Sequence, residues 1–505
     1  MDDDVFAGLV RQREAESAHD AAAFKRRVLL VSVAAYVALA LFLITTVVLL
    51  YWGFRWASHS HSIRNMILLG LFAATLVPMF WVVGKFFFMR LDPPQGREIT
   101  RADAPKVFEV LDKMRRKLGG PKIHHVLIDK DYNASISQQP RFGLFGGHTN
   151  YLCLGLPYLL GTAPKEMLAT IAHEYGHLCG SDGKMGAWIY RQRITFSALH
   201  ERVLAGEDTS WVYATLAVGL NWFWPHYHAY TFVLSRQQEY AADHTATLLI
   251  GAGDNASGLV RDHLLGRWVD QDFWRQLYRQ ASTHEAPRTM PFATMKHAFV
   301  ADYAQWATPE RLREAMRRDS DWHNTHPCLR ERLEAIGEKP GLPPPLTTAA
   351  SDIFLGGFTQ TLIDEFDQLW WKDEAKSWRG HHQRIQREKS ELATLNGRRI
   401  ETLGPSELQQ LALLKSDHET VKETKPVLEY LLAKPGGPYP KAAYLFGRIL
   451  LDEKNNRGLD HLEAAARNDA NLAETATRIG YDYLLEHKGE AAALAWYQRV
   501  VESID

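Results

Sequence analysis

Two stretches without a single charged residue, 28–53 and 65–84, constrain this chain more than any other feature. Each is long enough for the roughly 20 helical residues that cross a bilayer core. In lipid, a lone span must satisfy its own backbone hydrogen bonds, which makes it a helix. Trp52 and Trp56 at one end of the first stretch, and Trp81 near an end of the second, suit the membrane interface. Pro78 lies inside the second stretch, where a membrane helix tolerates it better than a soluble one. A cleaved signal peptide fits poorly. The first apolar run exceeds the 7–15 residues such a signal uses, and no small-residue cleavage site follows. The expectation is a transmembrane hairpin within residues 28–90, preceded by a 1–27 segment.

Lys25, Arg26 and Arg27 abut the first span, and Lys85, Arg90, Arg97 and Arg101 follow the second, whereas the loop between offers only Arg55 and Arg64. The positive-inside rule then puts the N-terminal segment and the long remainder of the chain in the cytoplasm. Cys153, Cys179 and Cys328 form no C-x-x-C pair and no disulfide framework, which agrees with a reducing compartment. A net charge of -1 leaves no electrostatic footprint for nucleic acid, so no nucleic-acid partner is expected. The 505 residues suffice for two to four domains of about 100–200 residues each.

Beyond the hairpin the pattern is mainly α with a small β-sheet, an α+β domain. Asp103 is placed to cap a helix over 104–118, with Pro105 in its first turn, Gly119-Gly120 at its end and Val107, Leu111, Met114 and Leu118 on one face. Segments 125–128 and 150–154 read as strands around a Gly-rich turn near Gly143, with a third extended piece through 135–137. Thr162 is placed to cap a helix over 163–179, with Pro164 in its first turn.

That helix contains His173-Glu174-Tyr175-Gly176-His177. Histidines at i and i+4 stack on one face, so both rings can reach one tetrahedral zinc, and the glutamate after the first can act as general base toward a zinc-activated water. A second helical stretch, from Ser235 to about Leu249, carries Glu239 and Asp243 at i, i+4. Glu239 completes the three protein ligands of a catalytic zinc, and Asp243 can orient a ligand histidine. One zinc per chain is expected, held by His173, His177 and Glu239. His124, His125, His226, His228, His381 and His382 lack carboxylate or cysteine partners at ligand spacing and read as structural.

The HEYGH segment followed by S-R-Q-Q-E-Y-A-A-D resembles the gluzincin zinc peptidases grouped with the heat-shock protease HtpX and the CAAX prenyl protease. Asn133-Ala134 resembles the family's Asn-Ala beside a substrate-binding edge strand, and Gly155-Leu156 its Gly-Leu before the zinc helix. Thr325-His326-Pro327 with Arg332 resembles the family's late T-H-P-x-x-x-x-R motif. The resemblance covers about residues 91–340 plus the hairpin. It implies a zinc endopeptidase with Glu174 and His326 catalytic, His326 stabilising the oxyanion, and Asn133 and Ala134 binding substrate. Its substrates would be membrane or membrane-proximal proteins, and its location a bacterial inner membrane. A dedicated processing peptidase for one substrate is an alternative; a catalytically weak scaffold is a further one.

After a Pro-rich break at 340–345 the chain turns helical: a connecting region over 341–435, then 436–505. There 442–451 resembles 476–485 at an offset of 34 residues, each followed by an Ala-rich helix, which is the tetratricopeptide period. Such repeats bind partner proteins. A last apolar stretch, 211–234, lies between His177 and Glu239, and the 31 residues before it carry eight charges from Asp182 to Asp208. It is expected to enter the bilayer at most as a re-entrant or interfacial hairpin turning near 221–225.

Overall fold

The computed structural model describes residues 3–60, 62–87, 92–142, 145–179, 188–189, 192–193, 196–197, 211–322 and 324–503. The expected turn at Gly143, the basic residue Arg90 and most of the charges between Cys179 and Trp211 therefore lie outside the described residues. The chain forms two compact units: residues 1–277 with 289–373, and residues 278–288 with 374–505.

The first unit is built on a four-stranded sheet in the order β1-β2-β4-β3. Here β1 is Arg97–Ile99, β2 His125–Asp129, β3 Ala134–Phe142 and β4 Phe145–Gly155. β2 and β4 run parallel, while β1 and β3 are antiparallel to their neighbours. The third extended piece is thus a nine-residue strand at the sheet edge, and β1 is a strand whose three residues were too few to show a period. Gly155 ends β4 where no side chain fits: a Cβ there would lie 1.7 Å from the Asp131 carbonyl oxygen.

Helix α4, Pro105–Leu118, presents the expected Val107, Leu111 and Met114 to the core. These pack in one cluster with Val126, Ile128, Leu152 and Leu154 of the strands and with Ile171, Ala172 and Tyr175 of helix α6, Pro164–Cys179. Burying each such aliphatic side chain contributes about 1.5–3 kcal/mol. The two expected caps are corrected. Asp103 accepts from the N–H and hydroxyl of Thr100, closing a turn before α4. Thr162 donates its hydroxyl back to the Tyr158 carbonyl of helix α5, Leu156–Gly161. The Ala163 N–H is instead satisfied by the Glu166 carboxylate. In both cases a neighbour's donor or acceptor outcompeted the cap geometry.

The N-terminal region forms helices α1 (Asp3–His19), α2 (Ala21–Ser60) and α3 (Ile63–Phe87). Among the described residues, α2 and α3 are the two helices long and apolar enough to cross a membrane, and both keep that surface exposed. Helix α7 spans Trp211–Ile250 without a break. The expected hairpin turn at 221–225 is therefore wrong. Pro225 sits inside the helix. A proline removes one hydrogen bond but need not reverse a chain whose flanks are packed. Here they are: Ala229, Tyr230 and Val233 cluster with Phe6, Val10, Phe24 and Val28, while Phe223, Trp224 and Tyr227 cluster with Val31, Ala35, Tyr36 and Leu39. The order of these contacts makes α7 antiparallel to α2.

The second unit is helical. Helices Pro440–Asp452, Arg457–Asn468, Ala470–Lys488 and Glu490–Glu502 follow one another. The first two touch through Gly447 and Gly458, where either added Cβ would meet the other's carbonyl oxygen within 3.0 Å.

Candidate active site

Helix α6 carries His173 and His177 one turn apart, and Gly176 between them lets α7 come close: a Cβ there would lie 3.2 Å from the Ala242 Cα. That approach brings Glu239 onto the histidines. His173 Nε2 and His177 Nε2 are 3.2 Å apart, and the Glu239 carboxylate oxygens lie 3.4 Å from each. Bonds of about 2.0–2.1 Å to a tetrahedral cation require donor separations of about 3.3–3.4 Å. Two imidazole nitrogens and a carboxylate oxygen are also a zinc donor set. The residues present fit one divalent ion. His173, Glu174 and His177 also lie within 4.8 Å of one another. Glu174, however, points at the sheet: the Ile136 N–H of edge strand β3 donates to its carboxylate at 2.9 Å.

A buried pair orients the first histidine. His173 Nδ1 donates to Asp243 at 2.9 Å, which leaves Nε2 for the ion side. Arg332, on the helix Leu329–Ile336, grips the same carboxylate through Nε at 2.8 Å and Nη2 at 2.6 Å. Burial opposes the charge on His173, yet the hydrogen bonds to Asp243 and Glu239 outweigh it and push the ring up to about 9. Burial and the neighbouring His173 pull His177 down to about 4. Asp243, despite burial, is held at about 2 by Arg332 and His173. Glu239 is likewise held below the usual carboxylate range, because hydrogen bonds from His173 and His326 outweigh burial. Glu174 goes the other way: burial raises it.

His173, Glu174, His177, Glu239 and Arg332 line a cleft of about 1030 Å³ together with Asn133, Ala134, Ile136 and His326. The Asn133 side chain accepts from the Ala134 N–H at 2.8 Å, and its carbonyl accepts from the Gly155 N–H at 2.8 Å, joining the edge strand to the strand before the zinc-motif helix. His326 Nδ1 donates to Glu239 at 2.7 Å, so the late motif touches the carboxylate itself. Seven of the eight residues expected in the site thus line one cleft, and the eighth, Asp243, stands behind His173.

Three contributors were not foreseen. Glu166 and Arg261 form a buried ion pair at 2.6 Å beneath the start of α6, and Arg261 also donates to the Pro344 carbonyl. Arg236 ties α1 to the loop before His326, donating to Glu14 at 2.8 Å and to the Asp321 carbonyl at 2.9 Å. Asp262 lines the cleft from helix α8, Ala252–Trp268. The spacing of Asn255 and Asp262 on one helix face was the only signal available for the last.

No curated protein and no protein of solved structure matches the chain. The model of peptidase family M48 matches residues 109–339, a segment that contains His173, Glu174, His177, Glu239, Asp243, His326 and Arg332. The segment is thus similar to the M48 family, whose members are metal-dependent peptidases, usually with zinc.

Proposed function

We propose that the protein is a membrane-anchored zinc endopeptidase that hydrolyses peptide bonds of membrane or membrane-proximal proteins. The observation that carries this reading is the convergence of His173 Nε2 and His177 Nε2, 3.2 Å apart, on the Glu239 carboxylate, whose Oε2 and Oε1 lie 3.4 Å from the first and the second respectively. Zinc bound by these three residues would supply Lewis acidity toward the scissile carbonyl and its attacking water. Glu174, raised by burial, takes the water's proton as general base and returns it to the leaving amine. With Nδ1 donating to Glu239, His326 in its imidazolium form would also offer its Nε2–H as donor to the developing oxyanion. Asn133 and Ala134 open the edge strand along which an extended peptide adds as a further strand.

Anchoring rests on α2 and α3, with the HtpX-like motifs as context, and the catalytic unit lies on the cytoplasmic side by the basic flanks. The start of α7 shares the bilayer with α2, against which its middle, from Phe223 to Val233, is packed. The C-terminal helix pairs act as tetratricopeptide-like repeats that recruit protein partners. The test is Glu174→Gln. The variant retains stoichiometric zinc and loses proteolysis by several orders of magnitude, measured on solubilised full-length protein. Undiminished proteolysis in that variant refutes the reading.

A further inference from the structure

The cleft contains one acid that has no partner among the described residues. Helix α8 turns Asn255, Gly258, Leu259 and Asp262 toward the cleft at i, i+3, i+4 and i+7, opposite Glu166, Ala169, Thr170 and His173 at the same spacing on α6. The two helices come close because residue 258 is glycine: its Cβ would stand 3.4 Å from that of Glu166. The other carboxylates of the cleft are engaged. Glu166 accepts from Arg261, Ser257 and the Ala163 N–H. Glu174 accepts from Ile136, Glu239 from His326, Asp243 from His173 and Arg332, and Asp319 from Arg330. Asp321 is partnered as well. Among the described carboxylates that line the cleft, Asp262 alone has neither a hydrogen bond nor an ion pair. Arg332 is near enough to feel its charge but is held in the fork to Asp243.

We propose that Asp262 is the anionic end of a substrate subsite that takes a lysine or arginine side chain. This rests on the peptidase reading. A partly buried carboxylate without a partner is destabilised, and a cationic side chain entering from the cleft relieves that by ion pairing and hydrogen bonding. Burial pushes Asp262 up to about 6, the direction expected of a group waiting for a counter-charge. The Tyr158 hydroxyl, which lines the same cleft and pairs with Thr170 at 2.9 Å, is an additional acceptor for an ammonium with three donors. Leu259, one turn before Asp262, gives the aliphatic stem an apolar wall.

Solubilised full-length zinc enzyme is tested on peptides acetylated and amidated at their ends, so that only a side chain supplies the cation. Lysine, arginine, norleucine or glutamate is placed in turn at each position flanking the cleaved bond. The wild type favours the basic residues over norleucine by about tenfold or more at one position, the range of a hydrogen bond to a charged group. In Asp262→Asn that ratio falls toward one, and in Asp262→Lys the same position turns to favour glutamate. No basic preference at any position, or an equal ratio in Asp262→Asn, overturns the proposal. Should the wild type cleave no peptide at all, the peptidase reading fails separately. Fluorescence anisotropy then compares lysine and norleucine peptides bound to Glu174→Gln protein with and without Asp262→Asn. Tighter lysine binding that vanishes with Asp262 supports the subsite, and equal binding overturns it.

Discussion

His173 uses its two ring nitrogens for opposite purposes: Nδ1 is spent on Asp243, and Nε2 faces His177 and Glu239. Because Arg332 grips Asp243 from the far side, the ring is held by a chain of two buried groups and a half-buried guanidinium. Removing a donor and removing the base should therefore have different signatures. Glu239→Ala leaves only two protein donors, so zinc affinity falls by orders of magnitude and activity falls with it. Metal analysis of dialysed protein, set beside Glu174→Gln, separates the two effects; full retention of zinc by Glu239→Ala refutes the ligand role. The histidines, Glu174, Glu239 and Asp243 were legible because i, i+4 spacing is a local property of a helix. Arg332 was visible as part of a motif, but what it grips was not. Asp262 had only its spacing from Asn255 to mark it, because an acid on a helix looks the same whether or not a cation faces it.

At the scale of elements, the site depends on close backbone contacts that glycines permit. Gly155 joins β4 to α5 just before the zinc-motif helix, and its missing side chain leaves room for the Asp131 carbonyl oxygen 1.7 Å from where a Cβ would be. Backbone atoms cannot swing aside as a side-chain tip can, so Gly155→Ala forces the 131–133 turn away from β4. The cost is about 2–3 kcal/mol or more, read as a lower Tm and reduced peptide cleavage, since Asn133 and Ala134 lie on the displaced edge. An unchanged Tm would show that the turn yields freely. The same scale explains the misread of α7. Asn-Trp-Phe-Trp-Pro has turn composition, yet packing of the segment after Trp222 against α1 and α2 keeps it helical.

Across the whole molecule, α2 and α3 expose nearly all of their apolar windows, including Leu30, Leu41, Ile44, Trp52, Leu71 and Trp81. A continuous exposed surface of this kind is stable in hydrocarbon and unfavourable in water. The protein should stay in the membrane pellet through an alkaline carbonate wash; its recovery in the supernatant refutes anchoring. α1, read from sequence only as a preceding segment, is a helix packed on α7, with Glu14 paired to Arg236. By itself the sequence determined what is local: the uncharged runs, the helical spacing of the metal-site histidines and carboxylates, and the apolar face of α4. Only the tertiary structure decided which distant groups meet. Arg332 on Asp243, α1 on α7 and the unclaimed Asp262 all arise from helix approaches between residues far apart in the chain. A residue's own neighbours carry no record of such approaches.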